Sequence, residues 1–184
     1  SDKKKSWKLI LMEIIQIVAY SNNRAIGKDN RLLWHLADDM AFFKENTTEQ
    51  TVLMGKNTYL SLPKKFRPLP NRLNIVISSQ APVEEYPNMI WFQNIETALA
   101  NIENKTEKLY VIGGASIYKQ TIDKTDTIYA TEVDVNIEGD AFFPKLNPKD
   151  WRVETIKIVE KNENNEYDFR IKKFNYFIPL ILKE

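Results

Sequence analysis

The chain has 184 residues, 43% hydrophobic and 11% aromatic, which is enough apolar material for one well-buried domain and too little length for two large ones. It contains no cysteine and a single histidine, His35, which excludes a disulfide framework, thiolate chemistry and a zinc site built on histidines; no carboxylate run has calcium-loop spacing, so no metal is expected. The formal net charge of +1 hides an asymmetry, because residues 50–83 carry Lys56, Lys64, Lys65, Arg67 and Arg72 and no acid, a local excess that suits an anionic small ligand or a nucleic acid as well as a solvated loop.

The start, SDKKKSWKLILMEIIQIVAYSN, imitates a secretory leader with its lysines, apolar run and small-residue spacing. Glu13 and Gln16 interrupt that run, however, and EIIQIVAY is rich in isoleucine and valine, so a buried strand over 13–20 is the better reading. No apolar segment is long enough to span a bilayer, and a cytoplasmic protein is expected. The first residue is Ser rather than Met, as in a processed or tagged chain, with Met12 as an alternative start.

Next comes LLWHLADDMAFFKENT, residues 32 to 47, which sets Asp38 and Asp39 among leucines, a tryptophan, a methionine and two phenylalanines. The spacing predicts a helix over 37–47. Burying an unpaired carboxylate is costly or forces it to take up a proton, so an acid on this side needs a partner, which the chain can leave to a ligand. Further strands are predicted at 51–54, 72–78, 89–92, 108–112 and 127–133, with helices over 57–62, 95–103 and 115–122 between them. This alternation predicts an α/β fold with a mainly parallel twisted sheet and helices on both faces. WRVETIKIVEK, a polar NENNE turn and YDFRIKKF then read as a closing antiparallel hairpin. There is no internal repeat and no low-complexity linker.

The five glycines are Gly27, Gly55, Gly113, Gly114 and Gly139, and three of them sit where a strand meets a helix. TVLM-GKNT and LYVI-GGASIY each run from an apolar strand through glycine into a polar helix start, where free backbone N–H groups offer anion sites and glycine allows close approach. Two such junctions could serve two ends of one dinucleotide, although each glycine alone is explained equally well by a tight turn. Neither junction matches the G-x-G-x-x-G fingerprint or the P-loop.

In order along the chain, IVAYSNNRAIGKDNRLLWHLADDMAFFK, VLMGKNTYLSLP, RPLPNRLNIVIS, VIGGASIY, ATEVD and EGDAFFP resemble the dihydrofolate reductase family, from about Glu13 to Phe174. The resemblance implies a single reductase domain over 13–174, with an adenosine-binding lobe at about 50–106, an extension at 1–12 and an apolar extension at 175–184. It also implies NADPH-dependent reduction of 7,8-dihydrofolate to 5,6,7,8-tetrahydrofolate, with antifolates as plausible inhibitors, no nucleic acid and no membrane.

Residue by residue, the family's catalytic acid falls on Asp39, leaving Asp38 as an ordinary helix-start residue placed for capping. Asp39 would accept hydrogen bonds from the pterin and favour its N5-protonated state, while Trp34 helps to place an ordered water that brings the proton. Ile17, Val18, Ala19, Met40 and Phe43, with Leu62, Leu69, Ile112, Tyr118 and Thr131, would line the pterin and benzoyl pocket. Arg72 would pair with the α-carboxylate of the folate's glutamate, where a planar fork of donors outperforms an ammonium, and Lys44 would assist from the rim. For the cofactor, Gly55, Lys56, Asn57 and Thr58 would open one helix beneath phosphate. Gly113, Gly114, Ala115, Ser116 and Ile117 would open the other, the glycine pair being joined by a cis peptide. Ser78 and Ser79, with Lys56, would flank the 2′-phosphate; Ala19, Ile26, Gly27, Leu32, Ile77 and Tyr118 complete the cofactor's surroundings. Residues 21 to 36 would form a mobile lid.

Three departures stand out: Ser116 where many bacterial relatives carry arginine, Leu33 for a frequent proline before the tryptophan with His35 after it, and a lengthened LPKKFRPLP. The apolar WKLILM and FNYFIPLILKE are expected to pack on each other or on a second copy of an otherwise monomeric chain. Two rival readings remain: a riboflavin-precursor reductase of similar fold, which does not call for Asp39 and Arg72, and a non-catalytic nucleotide or nucleic-acid binder built on Lys56 to Arg72. Only Tyr59 and Phe66 offer stacking surface for the latter.

Overall fold

A computed structural model describes residues 12–177. In chain order the elements are β1 (Glu13–Ser21), β2 (Ala25–Gly27), α1 (Ala37–Thr47), β3 (Thr51–Gly55), α2 (Lys56–Ser61), β4 (Leu73–Ile77) and β5 (Met89–Phe92). They continue as α3 (Ile95–Ile102), β6 (Lys108–Gly113), α4 (Ala115–Thr121), β7 (Thr127–Val133), β8 (Ala141–Phe142), β9 (Trp151–Val159) and β10 (Phe169–Tyr176).

Eight strands form one sheet in the order β5-β4-β3-β6-β1-β7-β10-β9. Every pairing from β5 to β7 is parallel, and β10 is antiparallel to both β7 and β9. The expected mostly parallel sheet with a closing hairpin is therefore what the chain forms, and β10 lies inside, between β7 and the edge strand β9. The parallel strands read as nearly unbroken apolar runs because both faces are covered. Along β1 the alternation divides the core: Ile15 and Ile17 join Val52, Met54, Tyr59, Leu69 and the α1 phenylalanines on one face, while Ile14, Val18 and Tyr20 join α3 and α4 residues on the other. α3 begins at Asn94, whose side chain accepts the Thr97 N–H at 2.8 Å, and buries Ile95, Ala98 and Ile102.

Sequence-derived boundaries agree to within a residue or two, with two exceptions. The short antiparallel pair β2–β8 was not foreseen, because strands of three and two residues carry no readable period. It is set by close approach: a Cβ on Gly139 would lie 2.7 Å from the Ala25 Cβ and 3.0 Å from the Gly27 carbonyl oxygen. β10 also runs beyond Phe174, with Asn175 opposite Thr127 and Arg152 and Tyr176 opposite Trp151. The expected packing of the apolar chain ends falls largely on 1–11 and 178–184, outside the described residues. Among the described residues no helix is long and apolar enough to cross a membrane, and no group of three or more His, Asp or Glu side chains could hold a metal ion.

Candidate active site

α1 carries the two charged features that define the site, one near each end. Leu36 is its N-cap residue and offers no side-chain acceptor, so the first backbone N–H groups need partners from elsewhere. The capping role expected of Asp38 is not what forms. Its carboxylate accepts a hydrogen bond from Asn165 Nδ2 at 3.0 Å, and its N–H donates to Asn165 Oδ1 at 3.1 Å.

Asp39, one residue on, turns toward the sheet. The Thr131 hydroxyl on β7 donates to its Oδ1 at 2.6 Å, and no lysine or arginine among the described residues lies within ion-pair distance of it. Burial pushes its pKa up from 3.8 to about 6, with the Thr131 hydrogen bond and then the more distant Lys157 charge pulling the other way. This is the carboxylate that the apolar setting of residues 32–47 pointed to: it has one neutral donor and no cation.

At the other end of α1, Thr47 is buried; its hydroxyl donates to the Phe43 carbonyl at 2.8 Å and accepts from an Arg72 guanidinium N–H at 3.1 Å. Arg72 is only 9% exposed, and its Nε donates to the Pro70 carbonyl at 2.9 Å. Burial lowers its pKa from the ordinary value, and no carboxylate among the described residues pairs with it. Asp39 and Thr47 are eight residues apart on one helix, which separates the acidic and basic ends of the site by roughly 12 Å along the axis.

The wall between them is apolar. Ile17 and, partly buried against the same cluster, Phe43, Leu62 and Ile112 meet Leu69 there, and Ala19 sits beside Thr131 in the β1–β7 ladder. Val18 is the exception on β1: its side chain belongs to the α3–α4 face, so at that position the strand can offer the site only its backbone. Tyr118 also packs on that far face, but its hydroxyl passes through to the Ile17 carbonyl at 2.7 Å. Trp34 packs partly buried against the cluster of Leu36, Val133, Val159, Phe169 and Ile171. Met40 is 56% exposed and Lys44 is exposed, both on the open side of α1.

The two glycine junctions come together. Met54 and Gly113 are partners across β3 and β6; a Cβ on Gly55 would meet Ile117 Cγ1 at 3.2 Å, and one on Gly114 would meet Thr58 Oγ1 at 3.4 Å. Gly113 has φ +118 and is joined to Gly114 by a cis peptide, with the Tyr118 ring 3.2 Å from where its Cβ would stand. Lys56 Nζ donates to Gln80 Oε1 at 2.5 Å and the Gln80 N–H donates to Ser78 Oγ at 3.1 Å, so Gln80 joins these two expected phosphate partners. Asn57, Ser79 and Ser116 are exposed, and Ser116 Oγ accepts from Gln120. Ala115 opens α4, Ile26 and Ile77 are partly buried against the α3–α4 core, Gly27 pairs with Ala141, and Leu32 is largely exposed.

Three participants carried no signal in the sequence. Thr47 orients Arg72 from a helix end, and Asn165 reaches α1 from 127 residues away. Glu84 accepts from the Tyr59 hydroxyl and from Arg67 Nε at 2.8 Å, which neutralises one of the five basic residues of 50–83; a second cis bond, Arg67–Pro68, lies beside it.

Fold and site together define an α/β protein that sets, along one apolar wall, a carboxylate without a cation and a guanidinium without a carboxylate among the described residues, with paired glycine turns at the ends of β3 and β6. Residues 13–176 match the family model described as dihydrofolate reductase. The chain is 40% identical to dihydrofolate reductase from Haemophilus influenzae over 154 residues, 84% of this chain and 92% of that one. It is 38% identical to dihydrofolate reductase from Bacillus subtilis over 153 residues, 83% and 88% of the two chains. A structure of dihydrofolate reductase from Enterococcus faecalis complexed with NADP(H) and RAB-propyl superposes with a TM-score of 0.80 at 30% identity, covering 92% of this chain and 99% of that one. The chain belongs to the dihydrofolate reductase family, and with it to the NADPH-dependent oxidoreductases.

Proposed function

We propose that this chain reduces 7,8-dihydrofolate to 5,6,7,8-tetrahydrofolate through the residues just described, Asp39 carrying the acidic end and Arg72 the carboxylate-binding end. The observation that supports this most directly is Asp39 itself, a partly buried carboxylate bonded to a neutral hydroxyl and, among the described residues, to no cation, with its pKa raised to about 6. A flat ring that donates two hydrogen bonds supplies the missing partners, and its positive charge on protonation at N5 is favoured by the anion. Water beside Trp34 carries that proton. Ile17, Phe43, Leu62, Leu69 and Ile112 hold the ring and benzoyl group out of solvent, and Arg72 takes the glutamate α-carboxylate in its fork.

NADPH would lie along the paired glycine turns: an added Cβ at Gly55 or Gly113 would press on Ile117 or the Tyr118 ring, so glycine lets the two helix starts pack close together with free N–H groups where phosphates would bind. Gly55 to Thr58 and Gly113 to Ile117 would hold its phosphates, with Lys56, Ser78 and Ser79 at the 2′-phosphate; residues 50–106 form the adenosine lobe. When bound, NADPH supplies the hydride that C6 of the pterin receives. The residues over 21–36, pinned at their base by β2–β8, close over the cleft and exclude water. Antifolates occupy the same Asp39-to-Arg72 span, and the chain acts in the cytoplasm as a monomer.

The test is to mix the protein with NADPH and dihydrofolate and follow loss of the reduced nicotinamide's near-ultraviolet absorbance. Turnover is expected, together with a loss of at least about 100-fold for Asp39→Ala at neutral pH that acid partly restores by pre-protonating the substrate. An Asp39→Ala protein as active as its parent at neutral pH overturns the assignment.

A further inference from the structure

The turn joining β9 and β10 is solvated throughout residues 160–166 except at Asn165, which is 1% exposed. A polar side chain buried inside an otherwise exposed polar turn needs partners that explain it. Its partners are on α1. Asn165 Oδ1 accepts the Asp38 N–H at 3.1 Å and its Nδ2 donates to Asp38 Oδ2 at 3.0 Å, while the neighbouring Asn164 carbonyl accepts the Ala37 N–H at 3.0 Å. On the other side of it, the Glu166 N–H donates to the His35 carbonyl at 3.1 Å and the Glu166 carboxylate accepts the His35 N–H.

The start of α1, which has no acceptor of its own at Leu36, is thus capped by another element. Asn165 is itself held: Asn162 Oδ1 accepts the N–H of Asn164 at 2.8 Å, the N–H of Asn165 at 3.0 Å and Asn165 Nδ2 at 3.2 Å. Asp39 is the next residue after the capped one, and among the described residues its carboxylate has a single side-chain hydrogen bond, from Thr131. Where that carboxylate points is therefore set by the backbone of the first turn together with the Thr131 hydroxyl.

We infer that Asn165 is a positioning residue, which caps α1 from the β9–β10 turn and so fixes the Asp39 carboxylate against Thr131 in the orientation the ring requires. The inference rests on the function proposed above, and its primary readout does not need substrate. The titratable and charged groups facing this turn of α1 are Asp38 and Asp39 on the helix, His35 before it, Glu166 on the turn, Lys157 on β9 and Tyr118 from α4.

The experiment follows the Asp39 carboxyl carbon by NMR as pH is varied, in the ligand-free full chain, alongside steady-state kinetics and thermal melting. Asn165→Ala is expected to let water reach Asp39 and move its midpoint down toward the ordinary carboxylate range. It should lower kcat about 10-fold and change KM for NADPH less than about 2-fold, because only the acid end is displaced. The paired exchange Asp38→Asn with Asn165→Asp keeps an acceptor for the backbone N–H of residue 38 and reverses the side chain–side chain bond, and is expected to bring kcat and the Asp39 midpoint back toward the parent, whereas Asn165→Asp alone, which sets two carboxylates against each other, is not. A lower melting temperature with the Asp39 midpoint unmoved, or a paired exchange no better than Asn165→Asp alone, overturns the inference. If the parent turns over no dihydrofolate, the proposed function fails while the titration still decides the role of Asn165.

Discussion

Asp39 on α1 and Glu84 in the loop between β4 and β5 are both partly buried carboxylates that accept a hydroxyl hydrogen bond, and the protein treats them in opposite ways. Glu84 takes the Tyr59 hydroxyl and the Arg67 guanidinium, which itself lies over the Tyr59 ring at 5.4 Å; these donors hold its pKa below the ordinary range. Asp39 has Thr131 and a distant lysine, and burial dominates, raising its pKa to about 6. A carboxylate whose partners are all internal fastens one loop to another. One left short of a cation stores an unmet demand that a ligand can fill.

The largest test of that difference is to neutralise each acid. Asp39 holds its proton more tightly in the native state, at about 6, than at its ordinary 3.8, so its contribution to stability is full below about pH 4 and is lost as pH rises through 6. At pH 7 the ionised group costs the ligand-free fold about 3 kcal/mol. Asp39→Asn is expected to raise the melting temperature at pH 7.5 and not at pH 3.5, while cutting turnover at least about 100-fold. Glu84→Gln is expected to do the reverse, lowering the melting temperature at neutral pH with turnover nearly intact. Melting curves at the two pH values, beside the absorbance assay, separate the cases; a destabilised Asp39→Asn at pH 7.5 would erase the contrast.

Arg72 is the basic counterpart of Asp39 and sharpens the comparison from the other end, since Arg67 meets Glu84 whereas Arg72, among the described residues, hydrogen-bonds only to Thr47 and a carbonyl. Arg72→Leu is expected to raise KM for dihydrofolate about 10- to 100-fold with kcat within about 3-fold, the pattern of lost ground-state binding to a charged group. Arg72→Lys should recover little of it, because an ammonium cannot reproduce the planar fork. A substrate analogue without the glutamate should show the same KM in parent and variant.

Thr131→Val probes the single hydrogen bond on Asp39 without changing side-chain shape much. Loss of a donor to a charged group is expected to raise the Asp39 midpoint further and to lower turnover near neutral pH about 10-fold, measured by carboxyl NMR and by the pH dependence of kcat.

How far the sequence disclosed this arrangement depends on where each signal resides. The helix over 37–47 and the strands over 89–92 and 127–133 were legible to the residue, because period and β-branching are local. That Asp39 sat in apolar company was also local, being written in its own helix. Thr131 is one of two threonines on its strand, and its bond to Asp39 on α1, a contact between distant parts of the chain, is written in neither local period. Asn165 read as turn filler, since a loop of Glu and Asn has the composition of solvent-exposed chain whether or not one member is buried. Asp38 was expected to cap because capping statistics concern the helix alone, whereas the actual partner arrives from 127 residues further along the chain.

The smallest effect concerns Lys157. Thr131, Ile171 and Lys157 are successive partners across β7, β10 and β9, so Lys157 stands on the same side of the sheet as the threonine that holds Asp39, two strand spacings or about 10 Å away. Across that distance and through solvent, a unit charge is worth about 0.4 kcal/mol, equivalent to about 0.3 pH in a titration midpoint. Its sign lowers the Asp39 pKa, opposing burial. Lys157→Met keeps the length of the side chain and removes the charge. It is expected to raise the Asp39 midpoint by about that amount at low ionic strength and by almost nothing in about 1 M salt, where screening acts within a few ångströms. Lys64→Met, which removes a charge that acts on Glu84, should leave Asp39 unmoved in both conditions. A salt-independent shift for Lys157→Met would mean that the lysine acts through packing over Ile171 and not through its charge, and the contrast between the two acids would then rest on burial and hydrogen bonding alone.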